Sequence, residues 1–243
     1  RRPARAFGAE GFGKPRLVGG GAAKVGGLAV KPQGHVAEPA VIKKAPKGCH
    51  GVGHGGVDAD AEKLRQTEEL LDRQEFAKAV QAILDTDRVY ILGVRSAAPL
   101  ANFLGYYLNY MFNNVHVISG VSAGEMFEKI VGVGPQDVVI AFSFPRYSAT
   151  TAKGAQYCRT TGATVIGMTD SKLSPLGQNC DHVLVAKSDM VSLVDSLVAP
   201  LSVTNALIVA LASRREKELA KTFQGLERIW EEYNVYEKQV DVL

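Results

Sequence analysis

Five short β-branched runs, Arg88–Gly93, Val115–Ile118, Asp137–Phe142, Thr164–Thr169 and His182–Ala186, alternate with segments of helical spacing, and this alternation constrains the chain more than any other feature. Each run is apolar nearly throughout rather than at every second position, so both of its faces must be buried. Strands of that kind separated by helices form a parallel sheet covered on both sides. The expected fold class is therefore α/β, a doubly wound five-stranded parallel sheet. After the first run, Leu100, Phe103, Leu104, Tyr107, Leu108, Met111 and Phe112 lie on one side of a helix. The helix expected after the fifth, about 193–213, is apolar around much of its circumference and needs two partners, a second subunit being one candidate.

The flanks differ in character. Asp58 is placed to cap a helix, and Leu64, Leu70, Leu71, Phe76, Val80, Ile83 and Leu84 trace its stripe with a break near Asp72, giving a helical lead-in over 58–86. The sheet domain is expected over 87–223. A helical tail, 224–243, continues the spacing of Leu219 and Phe223 through Leu226, Ile229 and Trp230. Residues 1–57 hold more than half of the 25 glycines and ten Lys or Arg residues against only Glu10 and Glu38. With no sustained period of 2 or 3.6, this leader is expected to be disordered or irregular. Its arginine, glycine and alanine bias reads either as GC-rich DNA translated in the wrong frame or as a basic arm limited to non-specific phosphate contacts.

Several classes are disfavoured. Cys49, Cys158 and Cys180 are odd in number and form no CxxC, which argues against a disulfide framework and for the cytoplasm. No secretion signal is visible, and the most apolar stretch, 191–212, contains Asp195, Pro200 and Asn205, so no membrane span is expected. Gly19-Gly20-Gly21 lacks the spacing of a dinucleotide loop, and Gly132-Val133-Gly134 precedes a strand instead of following one, so no nucleotide cofactor is expected. Cys49, His50, His54 and His35 sit in the leader without a scaffold, and no metal is expected.

In an open parallel sheet, ligands bind beyond the carboxyl ends of the strands. Two turns there are rich in hydroxyls, each with an arginine and each opening a helix: Gly93-Val94-Arg95-Ser96 and Ser143-Phe144-Pro145-Arg146-Tyr147-Ser148. Unpaired N–H groups at a helix start, hydroxyls and guanidinium groups together suit an anion such as phosphate. Ser96 and Ser148 are also good N-cap residues; it is the pairing of the two turns that favours a ligand site. Thr169-Asp170-Ser171 would border the same crevice, with Asp170 a candidate cap of the next short helix.

Val89–Ala97, Ala141–Ser148 and Gly167–Ser171 together resemble the sugar isomerase (SIS) domain, of flavodoxin-like fold, and specifically the version in RpiR-type (MurR/RpiR) transcriptional regulators. The resemblance runs from near Asp58 to about Tyr236. It implies a phosphorylated sugar effector held by Arg95, Ser96, Ser143, Arg146, Tyr147, Ser148, Thr169 and Ser171, and a homodimer or tetramer. It also implies a DNA partner for the full-length regulator, although no helix-turn-helix is recognisable in 1–57. Pro145 and Arg146 stand where isomerases of the family have serine and glycine.

An aldose–ketose isomerase needs a base beside the carbonyl. Glu125 and Glu128 are expected to face solvent, with Met126, Phe127, Ile130 and Val131 on the buried side of their helix, while His116 and His182 lie at strand starts, opposite the site. With no base evident, a sensor that binds without turnover is expected, the isomerase being the alternative.

Overall fold

The computed structural model describes residues 49–191 and 194–236, with side chains from residue 56 onward except those of 190–194. The leader up to residue 48, His35 within it, the side chains of Cys49, His50 and His54, and the end of the tail fall outside these residues. From Cys49 the chain is already helical: α1 spans Cys49–Leu70, so Asp58 lies inside a helix rather than capping one. Asp72 marks the break, its carboxylate accepting from the N–H groups of Gln74 at 2.9 Å and Glu75 at 3.2 Å and so capping α2, Arg73–Leu84.

The core then follows as β1 (Arg88–Leu92), α3 (Ala98–Leu108), β2 (Val115–Ile118), α4 (Ala123–Ile130), β3 (Asp137–Phe142), α5 (Ala149–Thr160), β4 (Thr164–Thr169) and β5 (His182–Val185). All five strands are parallel, in the order β2-β1-β3-β4-β5. Alternate residues of each strand feed two separate cores. Val89, Ile91, Ile140, Phe142, Ile166 and Leu184 pack with α2 and α3 and with α6 (Val198–Arg214) on one face. Tyr90, Leu92, Val139, Ala141 and Val165 pack with Met126 and Ile130 of α4 and Ala155 and Cys158 of α5 on the other. Each fully buried Leu, Ile or Phe contributes about 1.5–3 kcal/mol, and every residue of the central strand β3 is buried.

One ion pair sets the register between the two central strands. Asp137, 1% exposed at the start of β3, accepts from Arg88 Nε at 2.7 Å and Nη2 at 2.8 Å, and from the Gly134 N–H at 2.8 Å. Arg88 and Asp137 are register partners, so the bidentate pair clamps the amino ends of β1 and β3 and aligns their carboxyl ends.

Three expectations are corrected. Asp58, as already noted, caps nothing. The helix placed at 193–213 begins at Val198, because the preceding residues form an antiparallel hairpin of β6 (Met190–Val191) and β7 (Val194–Asp195). In α4 only Met126 and Ile130 are buried, while Phe127 and Val131 are 37% and 69% exposed, since an eight-residue helix on the sheet presents a narrow face. Glu125 and Glu128 face solvent as expected. α6 meets α1, α2 and α3, while α7, Glu216–Glu232, has no buried residue. Among the described residues, no helix is long and apolar enough to cross a membrane.

Burial also silences two thiols. Cys158 and Cys180 are pushed up to about 12 by desolvation. Neither should be alkylated by iodoacetamide at about pH 8 until the fold is opened by denaturant. Peptide mass spectrometry with and without urea checks this, and rapid native labelling of either residue would contradict it.

Candidate functional site

The strand order reverses between β1 and β3: the chain leaves β1 toward the β2 edge and leaves β3 toward β4. A crevice therefore opens at their carboxyl ends. The turns that follow these two strands border it, and they share a strained backbone. Arg95 has φ 58° and Arg146 φ 63°, the left-handed region that costs a side-chain-bearing residue roughly 1–2 kcal/mol. Such strain persists where the surroundings over-determine it, commonly at ligand sites. Gly93 makes the first turn possible, because a Cβ there would meet Ala101 Cβ at 2.7 Å and the Ala97 carbonyl oxygen at 2.9 Å.

Local hydrogen bonds fix the second turn. Ser143, 2% exposed, accepts the Ser148 N–H on its Oγ at 3.1 Å, and Ser148 Oγ caps α5 by accepting the Thr151 N–H at 3.2 Å. Both serines retain a hydroxyl proton to donate. With the Thr151 N–H satisfied by the cap, the N–H groups of Ala149 and Thr150 have no partner among the described residues, as the first turn of a helix dictates. Ser96 does not cap a helix. It lies inside a 3₁₀ turn, Arg95–Ala97, exposed and without a partner among the described residues, because Pro99 in the first turn moves the start of α3 to Ala98.

Two cavities adjoin across these turns. The narrower, about 130 Å³, is lined by residues that include Arg95, Ser96, Ser143, Arg146 and Ser148. The wider, about 630 Å³, is bounded by Arg95, Tyr147, Ser148, Ala149 and Thr150 and by Gly120 and Val121 after β2. Arg95 and Ser148 belong to both. The narrower alone falls below the ~300–1,000 Å³ of typical small-molecule sites, so a ligand of sugar-phosphate size requires the wider one as well.

Of the eight residues anticipated, Arg95, Ser96, Ser143, Arg146, Tyr147 and Ser148 come together here. Thr169 and Ser171 line neither cavity. Thr169 is fully buried, its Oγ1 within 3.0 Å of Ser174 Oγ and 3.2 Å of Asp170 Oδ1, while Ser171 Oγ accepts the Leu173 N–H. Asp170 caps no helix; it accepts from the Tyr147 hydroxyl at 2.9 Å. Burial first, and then that bond, push the Tyr147 phenol up to about 12, so it stays protonated.

Sequence reasoning missed Asp195. Its carboxylate lines the narrower cavity, carried there by β7, with Oδ2 3.5 Å from Arg146 Nη2. No local motif announces it, since it lies in an apolar stretch that reads as helix. His116 and His182 stay away from the cavities: His116 stacks on Tyr90 at 4.8 Å, and His182 Nδ1 lies 3.0 Å from Glu75 Oε2, tying β5 to α2. The His182 hydrogen bond is the main cause holding the Glu75 carboxyl below its usual range.

Known proteins resemble this arrangement. The family model described as SIS domain matches residues 82–210. A protein of Haemophilus influenzae described as an uncharacterized HTH-type transcriptional regulator is 27% identical over 173 residues, which cover 67% of this chain and only 57% of that relative's length. The sugar isomerase domain of an RpiR transcription factor from Sphaerobacter thermophilus superposes with a TM-score of 0.69 at 28% identity, over 73% of this chain and 98% of that one. The Vibrio vulnificus NanR protein complexed with ManNAc-6P superposes at 0.65 with 16% identity, over 77% and 70%. An Escherichia coli CFT073 protein in complex with arabinose 5-phosphate does so at 0.55 with 20% identity, over 69% and 95%.

Proposed function

Since the chain belongs to the SIS-domain family, we propose that it is the effector part of a bacterial transcriptional regulator, binding a sugar phosphate without transforming it. The observation that carries this reading is the pair of arginine turns at the switch point, each holding a guanidinium beside hydroxyls on strained backbone. The phosphate is assigned to the wider cavity, against Arg95 and the free N–H groups of Ala149 and Thr150 at the positive end of α5. The sugar extends past Ser148 toward Ser96, Ser143 and Arg146. Regulators at 27% and 28% identity support the role, and ManNAc-6P and arabinose 5-phosphate, ligands of proteins with this fold, support the ligand class.

A sensor must pass binding on to a distant element. Here the hairpin that closes the narrower cavity is tied to α1: the Ser196 hydroxyl donates to Asp60, Ser188 Oγ donates to the Ser196 carbonyl at 2.8 Å, and the Lys187 N–H donates to Thr67 Oγ1 at 2.9 Å. Ligand that repositions Asp195 pulls on Ser196 beside it and so on α1, the helix leading toward the N-terminal side, where the DNA partner belongs. A homodimer would cover the exposed aromatic surface of Tyr106, Tyr233 and Tyr236, and a DNA-bound regulator works in the cytoplasm.

The isomerase reading keeps one observation in its favour, the Asp195 carboxylate in the cavity. Calorimetric titration of the full chain with phosphosugars, followed by chromatographic assay for product, separates the two: binding without turnover is the expected result. Ser143→Ala/Ser148→Ala should lose about tenfold or more in affinity, each lost hydroxyl donor being worth roughly 0.5–1.5 kcal/mol and the cap a further ~1 kcal/mol of stability, which circular dichroism monitors. Undiminished affinity in the folded variant would overturn the site.

A further inference from the structure

The β6–β7 hairpin delivers one group whose surroundings do not satisfy it. The Asp195 side chain is 7% exposed, and its Oδ1 is buried with no hydrogen-bond partner among the described residues. Its other oxygen reaches Arg146 only at 3.5 Å, and that arginine is 62% exposed, with much of its hydration intact. A buried carboxylate oxygen without a donor is a cost that folds avoid unless something else completes the site.

The rest of the narrower cavity says what that donor is. Ser143 and Ser148 already accept backbone N–H groups and have protons to give, and Arg146 has only donors. Phosphate needs donors alone, and a carboxylate aimed at it would repel it. A wall that places an acceptor-only group among donors matches a neutral hydroxyl, which can donate to Asp195 and accept from a serine or from Arg146. The free N–H groups at the start of α5 lie in the wider cavity, on the other side of Ser148. The anion and the carboxylate are thus given separate compartments.

We infer that Asp195 is a specificity-determining residue, accepting a hydrogen bond from a sugar hydroxyl in the narrower cavity while the phosphate is held in the wider one. The inference rests on the sugar-phosphate reading and adds to it the end of the ligand by which one phosphosugar is told from another. Burial of the orphan Oδ1 makes the contact selective, since a ligand lacking the hydroxyl leaves that oxygen unpaired.

Asp195→Ala and Asp195→Asn are compared with the wild type by calorimetric titration against inorganic phosphate, glucose 6-phosphate, ManNAc-6P and arabinose 5-phosphate. The wild type is expected to bind at least one of the sugars more tightly than inorganic phosphate. Asp195→Ala should weaken that sugar by about tenfold or more, with inorganic phosphate unchanged or tighter because a negative charge has left the wall. Sugar affinity held within about twofold in both variants overturns the inference while leaving the sugar-phosphate reading intact. A parallel fall for inorganic phosphate overturns it too, since the loss would then lie in the anion site. Turnover of a sugar by the wild type that is abolished in Asp195→Asn would make Asp195 a base and overturn it as a recognition residue. No binding of any probe by the wild type removes the sugar-phosphate reading itself, and the inference with it.

Discussion

Replacing Arg95 and Arg146 together by glycine should lower affinity for a bound phosphosugar by about 100-fold or more and leave thermal stability unchanged or slightly raised. The two effects separate because the arginines act in different ways on the folded and the bound states. Each guanidinium can supply charge-assisted hydrogen bonds worth roughly 1.5–3 kcal/mol, or about one to two decades of affinity apiece. Each also sits at a positive φ, 58° and 63°, where glycine meets no steric penalty. Relief of roughly 1–2 kcal/mol per residue is partly cancelled by the greater chain entropy that glycine gives the unfolded state, about 0.4–1 kcal/mol. Packing loses little, since Arg95 is exposed and the Arg146 side chain, 62% exposed, meets Asp195 only at 3.5 Å. Titration calorimetry and a urea unfolding curve measure the two quantities independently. Loss of stability in step with loss of binding would show that the arginines brace the turns and do not serve a ligand.

That trade explains why the site was partly legible in the sequence. Glycine, proline, serine and arginine clustered after an apolar run mark a turn, and two such turns after strands mark an anion site, before any coordinates. Sequence alone does not supply the strand order β2-β1-β3-β4-β5, which makes the first and third turns neighbours and sends the fourth elsewhere. Thr169 and Ser171 were indistinguishable from site residues by type, yet their hydroxyls are used within their own loop, by Ser174, Asp170 and the Leu173 N–H. The five strands were legible because burial on both faces leaves an unbroken apolar run. The β6–β7 hairpin was not, because arms of two residues carry no period, and the neighbouring apolar residues fit the helix that follows. Asp195 was hidden for the same reason: a single acid in an apolar stretch counts against a membrane span before it suggests a site.

The dependence of the site on backbone shape gives the second large effect. Gly93→Ala should cost about 1–3 kcal/mol of stability and about tenfold or more in ligand affinity, although Gly93 itself presents no group to a ligand. The added methyl would stand 2.7 Å from Ala101 Cβ and 2.9 Å from the Ala97 carbonyl oxygen, both on rigid structure, so the turn and the start of α3 must move away from β1. Arg95 and Ser96 ride on that turn, and even a small shift takes their donors out of register with those of the β3 turn. Gly225→Ala is the matched control. Nothing lies within 4 Å of a Cβ at Gly225 in the middle of α7, so alanine there should add about 0.5–1 kcal/mol through helix propensity and leave affinity unchanged. Urea denaturation and titration of both variants decide the matter: if Gly93→Ala binds as the wild type does, the β1 turn takes no part in holding the ligand, and the site reduces to the β3 turn and the start of α5.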